Sequence, residues 1–354
     1  MTDDAFDPFA EQRAAVMAYD FREVQPSVRF GTASDRYAGW MGQIYPDERY
    51  AEAVKTRKKR LGSQTFEERT VPVASVQDYF LHFGVLELDF TFYRPLREAD
   101  GEDANTLHVL RQYALFAPPD ALFLLKAPST FFARTLRRGR KPNVTYEPNP
   151  DFLDAEGYTR RFLEPALEVL GERLIGVIFE QAYMRVQDSP APEQNVAEFD
   201  AFFQAIPKLV QPHIELRSPH LLEPVYFDWL DATGIGHVFS HWTWLPPIRE
   251  QWAKSGQRLT AADGNIVCRL LTPLRLPYEK AYAQAYPFDK PLESITTSAW
   301  ARNMVLDAVA LTYKADLAGR VLNLIANNRA WGNAPHLAQT IALRILDEEA
   351  RRMG

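Results

Sequence analysis

The sequence predicts an α/β protein built as one (β/α)8 barrel of the TIM type. Three observations carry that expectation. Strand-like and helix-like stretches alternate eight times along the 354 residues. The strands are near-continuous apolar runs, as expected where a parallel sheet is covered on both faces. The first strand is followed by no glycine-rich phosphate fingerprint of the kind a doubly wound open sheet usually carries. With no internal repeat or linker in sight, residues 27–354 read as one barrel domain after a leader of residues 1–26. Insertions are expected after strands 1, 3 and 7, near 47–72, 133–157 and 272–297.

The leader is polar, with a short helix around 10–18 ended by Pro26. Strand 1 is VRFG (28–31), and it runs into the loop TASDRYAGWMGQIYP, whose Tyr37, Trp40 and Tyr45 are expected to wall a ligand. The charged stretch DERYAEAVKTRKKRLGSQTFEERT reads as helical by propensity. SVQDYFLHFG is a helix stopped by Gly84, and VLELDFTFY (85–93) is strand 2. Helix 106–117 leads to strand 3, ALFLLKAP (121–128). Helix 158–171 leads to strand 4 at 173–181, and helix 194–209 to strand 5, HIELRSP (213–219). Strand 6 is IGHVFSHW (235–242). A helix near 246–256 precedes strand 7, NIVCRLL (265–271). The long helix 298–318 is stopped by Gly319, and strand 8 is RVLNLIANN (320–328). An amphipathic helix closes the chain, with Asn333 as N-cap and Pro335 in its first turn.

Composition narrows the function classes. A content of 46% hydrophobic and 24% charged residues is that of a globular protein with a large core. The formal charge of −6 argues against a whole-protein electrostatic grip on nucleic acid or anionic membrane. One cysteine, Cys268, leaves no intrachain disulfide framework and no multi-cysteine metal site. The acidic N-terminus lacks the form of a signal peptide, and no apolar run approaches a membrane span. A cytoplasmic protein with no membrane partner is the expectation.

In a barrel of this type the site lies at the carboxyl ends of the strands. Those ends carry Ser34 and Asp35, Glu87 and Asp89, Lys126, Glu180 and Gln181, Glu215 and Arg217, Ser240 and His241, Arg269, and Asn327 with Asn328. Glu215 and Arg217 stand two apart and point the same way, and Lys126 is expected beside Glu87 on the neighbouring strand. An ion-pair plug is one account of any single residue. For the whole ring a functional account is stronger, because apolar residues would stabilise the barrel top as well. The favoured chemistry makes Glu87 or Glu215 an acid or base, with Lys126, Arg217 and Arg269 clamping a small polar or phosphorylated anion. A Schiff base on Lys126 is disfavoured by its carboxylate neighbours. No cofactor is predicted. A divalent metal on Glu87, Asp89, Glu180, Glu215 and His241 is a weaker alternative without a clustered histidine pair. Basic clusters at 55–60 and 134–141, with Tyr37, Trp40 and Trp242, raise nucleic acid as a further alternative partner. A non-catalytic ligand-binding barrel is the third.

The motifs FGTASDRYAGWMGQIYP, LELDFTFYRPL, FLLKAP, VIFEQ, HIELRSP, VCRL and LIANNRAWGNAPHLA, in that order, resemble the YecE-like family, domain of unknown function 72. They span about residues 28–345. The resemblance implies a (β/α) barrel and a shared polar and aromatic set at its mouth: Glu87, Thr91, Phe92, Tyr93, Lys126, Glu215, Arg217, Arg269, Asn327 and Asn328. The mouth departs from the family pattern in several places, among them Glu180-Gln181-Ala182-Tyr183 where Gln-Leu-Pro-Pro is usual after strand 4. Ala33-Ser34-Asp35 replaces the usual Ser-Gly-Trp, and Asp89 replaces Asn. The histidines usual after strands 3 and 7 are absent, which weakens a histidine-base or metal mechanism.

Overall fold

A computed structural model of the chain describes residues 7–139 and 143–353. Eight parallel strands close on themselves: β1 (Val28–Ala33), β2 (Val85–Leu88), β3 (Phe123–Lys126), β4 (Leu174–Gln181), β5 (Pro212–Leu216), β6 (Gly236–His241), β7 (Asn265–Leu270) and β8 (Val321–Ala326). β1 pairs with both β2 and β8, and that closure makes the sheet a barrel. The helices that follow the strands in turn are α1 (Val76–His82), α2 (Asn105–Phe116), α3 (Glu164–Leu170), α4 (Pro192–Ala205), α5 (Pro224–Thr233), α6 (Ile248–Lys254), α7 (Ala299–Leu317) and α8 (Ala334–Met353). Ser298 caps α7 through Ala301 N–H, and Asn333 Oδ1 accepts from His336 N–H at 2.9 Å to cap α8. No helix among the described residues is long and apolar enough to cross a membrane.

Period-two alternation divides the strands cleanly. Outward residues such as Phe30, Leu86, Phe123, Phe179, Phe239 and Leu324 join the large core under the helices, each burial stabilising by roughly 1.5–3 kcal/mol. Ala33, Val85, Leu124, Ile178, Val238, Val267 and Ile325 form a separate buried cluster inside the barrel. Two residues further on, the same inward face carries Glu87, Lys126, Glu180, Ser240, Arg269 and Asn327. The polar ring is therefore the layer directly above the apolar plug.

The lower barrel holds His213 of β5, fully buried, with neither ring nitrogen partnered. Burial pulls its pKa down to about 3, so the ring is neutral. Gly176 and Gly236 make room for it: a Cβ at 236 would lie 2.2 Å from His213 Nδ1. Gly236→Ala is expected to destabilise by roughly 1–3 kcal/mol through this overlap, read as a lower urea midpoint. An unchanged midpoint would mean that the ring moves freely.

Several local expectations change. Strand 2 was expected to reach residue 93, but it ends at Leu88. Asp89 takes a helical conformation and residues 90–92 form a 3-10 turn, so Asp89 and Thr91 do not continue the Glu87 face. The charged stretch expected to be helical forms a short helix, Asp47–Tyr50, and then an antiparallel hairpin of Lys55–Leu61 with Gln64–Thr70. Its two-residue Gly62-Ser63 turn is a hairpin signal that outweighs helix propensity. Cross-strand neighbours of opposite charge, Arg57 with Glu68 and Lys58 with Glu67, add to it. A second hairpin follows β3, Thr135–Arg138 with Thr145–Pro148, and helix Tyr278–Ala285 follows β7. The first hairpin lies on that helix, with Phe66 and Tyr282 ring centroids 5.0 Å apart and Tyr282 OH donating to Glu68 at 2.9 Å.

Residues 7–26, read as a leader, pack on the barrel. Phe21 is buried, Arg13 bonds Asp347 at 2.7 Å, and Gln339 donates to Val16 O at 3.2 Å. Residues 1–6 of that leader, and Arg140 and Lys141 of the second basic cluster, lie outside the described residues.

Candidate functional site

Six charged side chains from five strand ends form one continuous chain across the barrel top. Arg269 grips both oxygens of Glu87, Nε to Oε2 at 2.7 Å and Nη2 to Oε1 at 2.6 Å. Its Nη1 donates to Glu215 Oε2, which also accepts from Arg217 Nη2 at 3.0 Å. Arg217 Nη1 reaches Glu180 Oε1, and Lys126 Nζ reaches Glu180 Oε2. Ser240 Oγ completes Glu215 with a 2.6 Å bond to Oε1. Three carboxylates thus alternate with three cations, and the chain has no net charge.

Burial alone would raise the Glu215 pKa, but Arg217 and Arg269 hold it down at about 2. Glu180 is lowered in the same way, burial being outweighed by Arg217 and Lys126. Burial by itself would lower Arg269, whereas Glu215 and Glu87 raise it. Burial keeps the Glu87 pKa above the ordinary carboxylate value even with Arg269 on both oxygens. Glu180, Glu215 and Arg269 are fixed charges, each held by its neighbours.

Above them opens a cavity of about 1070 Å³. Its floor includes Lys126, Glu180, Arg217 and Arg269, while Glu87 and Glu215 do not line it. This corrects two expectations. Lys126 pairs with Glu180 rather than Glu87, because Arg269 already holds both Glu87 oxygens. Glu87 and Glu215, read as acid or base, are sealed behind the floor with every oxygen bonded, so they brace the cations above. Lys126 also sits 4.0 Å over the Phe92 ring, and Arg217 lies 4.7 Å over Trp242.

The β1 side differs. Ser34 has φ +68°, a left-handed conformation that is uncommon for a non-glycine residue and marks local strain. Its Oγ donates to Asp89 Oδ1 at 2.6 Å. Next to it, Asp35 is 1% exposed, and its Oδ1 accepts from Tyr113 OH at 2.6 Å. Asp35 Oδ2 has no partner. Burial is the main reason its carboxyl is pushed up to about 6, and nearby Asp89 adds to the rise. Asp35, Asp89 and Tyr113 all line the cavity.

The other expected residues divide between the cavity and its supports. Asn327 and Tyr93 line the cavity, and Tyr93 is largely exposed. Trp40, expected as a wall, is fully buried beneath the first loop, and its Nε1 donates to Asn328 Oδ1 at 3.0 Å. Asn328 also accepts from Ala334 N–H at 2.7 Å, so it ties the last loop to the start of α8. Thr91 is buried and donates to Lys126 O at 2.7 Å, fixing the turn after β2. Gln181 faces out of the barrel to Asn195 of α4, and His241 faces out onto Trp300 with Nδ1 2.9 Å from Thr272 O. Neither reaches the cavity, because Glu180 and Ser240 hold the inward positions beside them.

Tyr113, Tyr278 and Arg329 were not expected in the cavity wall. Arg329 lies 4.6 Å over the Tyr278 ring and keeps its Nε unpartnered. Tyr113 is on the buried face of α2 with Leu107 and Leu110, where its pattern reads as core. Among the described residues no group of three His, Cys, Asp or Glu side chains is placed to hold a metal ion. Of the basic clusters, Arg57 and Lys59 are ion-paired to Glu68, and Arg134 to Glu198.

The sequence matches, over residues 29–352, a family described as "protein of unknown function DUF72". Among solved structures the fold is similar to the crystal structure of a DUF72 family protein from Thermotoga maritima MSB8. The two share 16% sequence identity with a TM-score of 0.50, over 91% of this chain and 98% of that one. At that identity the likeness concerns the barrel alone. No curated protein matches the sequence.

Proposed function

The chain belongs to the DUF72 family, and from that premise we propose that the barrel mouth is the active site of an enzyme working by acid–base chemistry. Its substrate in this reading is a small polar molecule with an anionic group. Asp35 is the proton donor or acceptor, Tyr113 orients it, and Ser34 and Asp89 fix the loop beside it. Lys126 and Arg217 receive the anionic group, and Arg269, Glu87, Glu215 and Ser240 hold those cations rigid. The observation that carries the reading is Asp35 in the wall of the cavity, its buried Oδ2 left without a partner, beside a floor that presents Lys126 and Arg217 together with Glu180. A carboxyl titrating at about 6 can act in either direction near neutral pH. The reaction class it fits is a hydrolase or lyase step.

Arg217→Lys tests the clamp, because it keeps the charge and discards the planar fork that bridges Glu180 and Glu215. With inorganic phosphate and D-galacturonate as probes, the wild type is expected to show a concentration-dependent rise in thermal midpoint. The variant is expected to bind about tenfold more weakly, a loss of about 1.4 kcal/mol. Equal binding by both proteins, or no response to either anion, would refute the clamp.

A further inference from the structure

We propose that the substrate is one unit of an oligosaccharide, with a neighbouring sugar ring stacked on Tyr183 and Trp244 at the rim. This rests on the active-site reading above and names the class of molecule it would take. β4, β5 and β6 are neighbours in the barrel. Tyr183 comes two residues after β4, and Trp244 three residues after β6. Their rings meet, centroids 6.2 Å apart, between the loops that flank β5. Met184 N–H donates to Ser218 Oγ at 2.9 Å, which ties the Tyr183 loop to the residue after Arg217. Trp242, two residues before Trp244, lines the cavity under Arg217. Trp242 thus stands in the cavity wall, and Tyr183 and Trp244 stand on the loops that leave the same end of the barrel.

Tyr183 and Trp244 are 45% and 46% exposed, apolar ring area left in water on the loops after β4 and β6. Rings in this position suit a ligand with flat faces that extends out of the mouth. The charge around them selects among such ligands. Arg185, the cation on the Tyr183 loop, is paired to Asp188 at 2.6 Å. A phosphodiester backbone needs unpaired cations along its track, and beside the two rings this one is already paired. A sugar needs none, since its C–H face packs on an aromatic ring and its hydroxyls meet mixed donors and acceptors. Glu180, Asp89 and the cations that line the cavity supply those for the terminal unit.

The test is calorimetric titration of the whole protein with D-galacturonate and its hexamer, cellohexaose, chitohexaose and a ten-residue oligothymidylate. At least one hexamer is expected to bind tenfold or more tighter than its single unit. Trp244→Ala and Tyr183→Ala are each expected to cut that hexamer-to-monomer ratio at least fivefold. Hexamers that bind no tighter than monomers, no binding by any sugar, or ratios untouched by both substitutions would overturn the inference. So would oligothymidylate binding that exceeds every sugar and collapses with added salt. If Arg217→Lys left monomer and hexamer binding intact while the length effect persisted, the clamp would fall and the rim subsite would stand.

Discussion

Arg269→Ala is expected to lower stability by about 3–5 kcal/mol, the usual cost of removing one partner from a buried ion pair. The reason lies in what it leaves behind. Glu87 is fully buried and has Arg269 on both oxygens; Glu215 is fully buried and shares its Oε2 between Arg269 and Arg217. Without the guanidinium, Glu87 is an uncompensated charge in the barrel interior. Its pKa, already raised by burial, must rise further.

The pH dependence distinguishes this from a simple cavity. Glu215 is depressed to about 2 in the folded chain, so its contribution is present above the ordinary carboxylate pKa and fades as pH falls toward 2. The wild type therefore loses stability in acid that the variant has already partly lost, and Glu87 in the variant is relieved by protonation. The gap between the two proteins should narrow as pH falls from 7 to 4. Denaturant midpoints at the two pH values measure it, and a constant gap would assign the loss to packing. The double variant Glu87→Gln with Arg269→Met should recover part of it, since no buried charge is then left unpaired.

The ring that this experiment probes was legible in the sequence because it needs only strand positions and their ends. Lys126, Arg217, Arg269 and Asn327 are found at the mouth from eight apolar runs that each turn polar. The barrel itself follows from the same runs, and the motif resemblance is matched by the family assignment over residues 29–352. Strict parity would have gone further. Counting by twos from Ile178 gives Glu180 inward and Gln181 outward, and from Val238 gives Ser240 inward and His241 outward. Reading whole strand ends, without parity, placed Gln181 and His241 on the wrong face.

Other misses had no such remedy. Which carboxylate takes Arg269 depends on a reach across the barrel from β7 to β2, and local spacing carries no record of it. Trp40 lies in a glycine-containing loop that looks exposed, yet the later excursion around Phe288 packs on Tyr37 beside it, ring centroids 5.4 Å apart. The hairpin of residues 55–70 carries a Gly-Ser turn signal, but charge and helix propensity obscured it. Tyr113 has the spacing of a core residue, and only its partner Asp35 reveals another use.

Asp35→Asn should separate stability from turnover in opposite directions. The folded pKa of about 6 stands above the ordinary value of 3.8. A raised carboxyl means that the folded chain holds its proton over a range where the unfolded chain has lost it. Stability on this account falls as pH rises from about 4 to 6, and the cost is complete above the folded pKa. About two pKa units correspond to roughly 3 kcal/mol at pH 8. Asparagine carries no charge to bury, and Tyr113 OH can still donate to its carbonyl. The variant is therefore expected to be more stable at pH 8 by about 1–3 kcal/mol, with the advantage gone at pH 4.

In turnover the substitution removes the transferable proton, a loss typically of 10²–10⁴-fold for a general acid or base. A residue that destabilises the fold at working pH and is needed for reaction is the trade expected of a catalytic group. Urea midpoints at pH 4 and 8 check the first half, and the rate on any substrate found by the sugar titrations checks the second. A stabilised variant with full turnover would leave Asp35 a burial defect and move the acid–base role elsewhere in the cavity. A destabilised one would mean that Asp35 is ionised and paired, which contradicts the unpartnered Oδ2 on which the proposed chemistry stands.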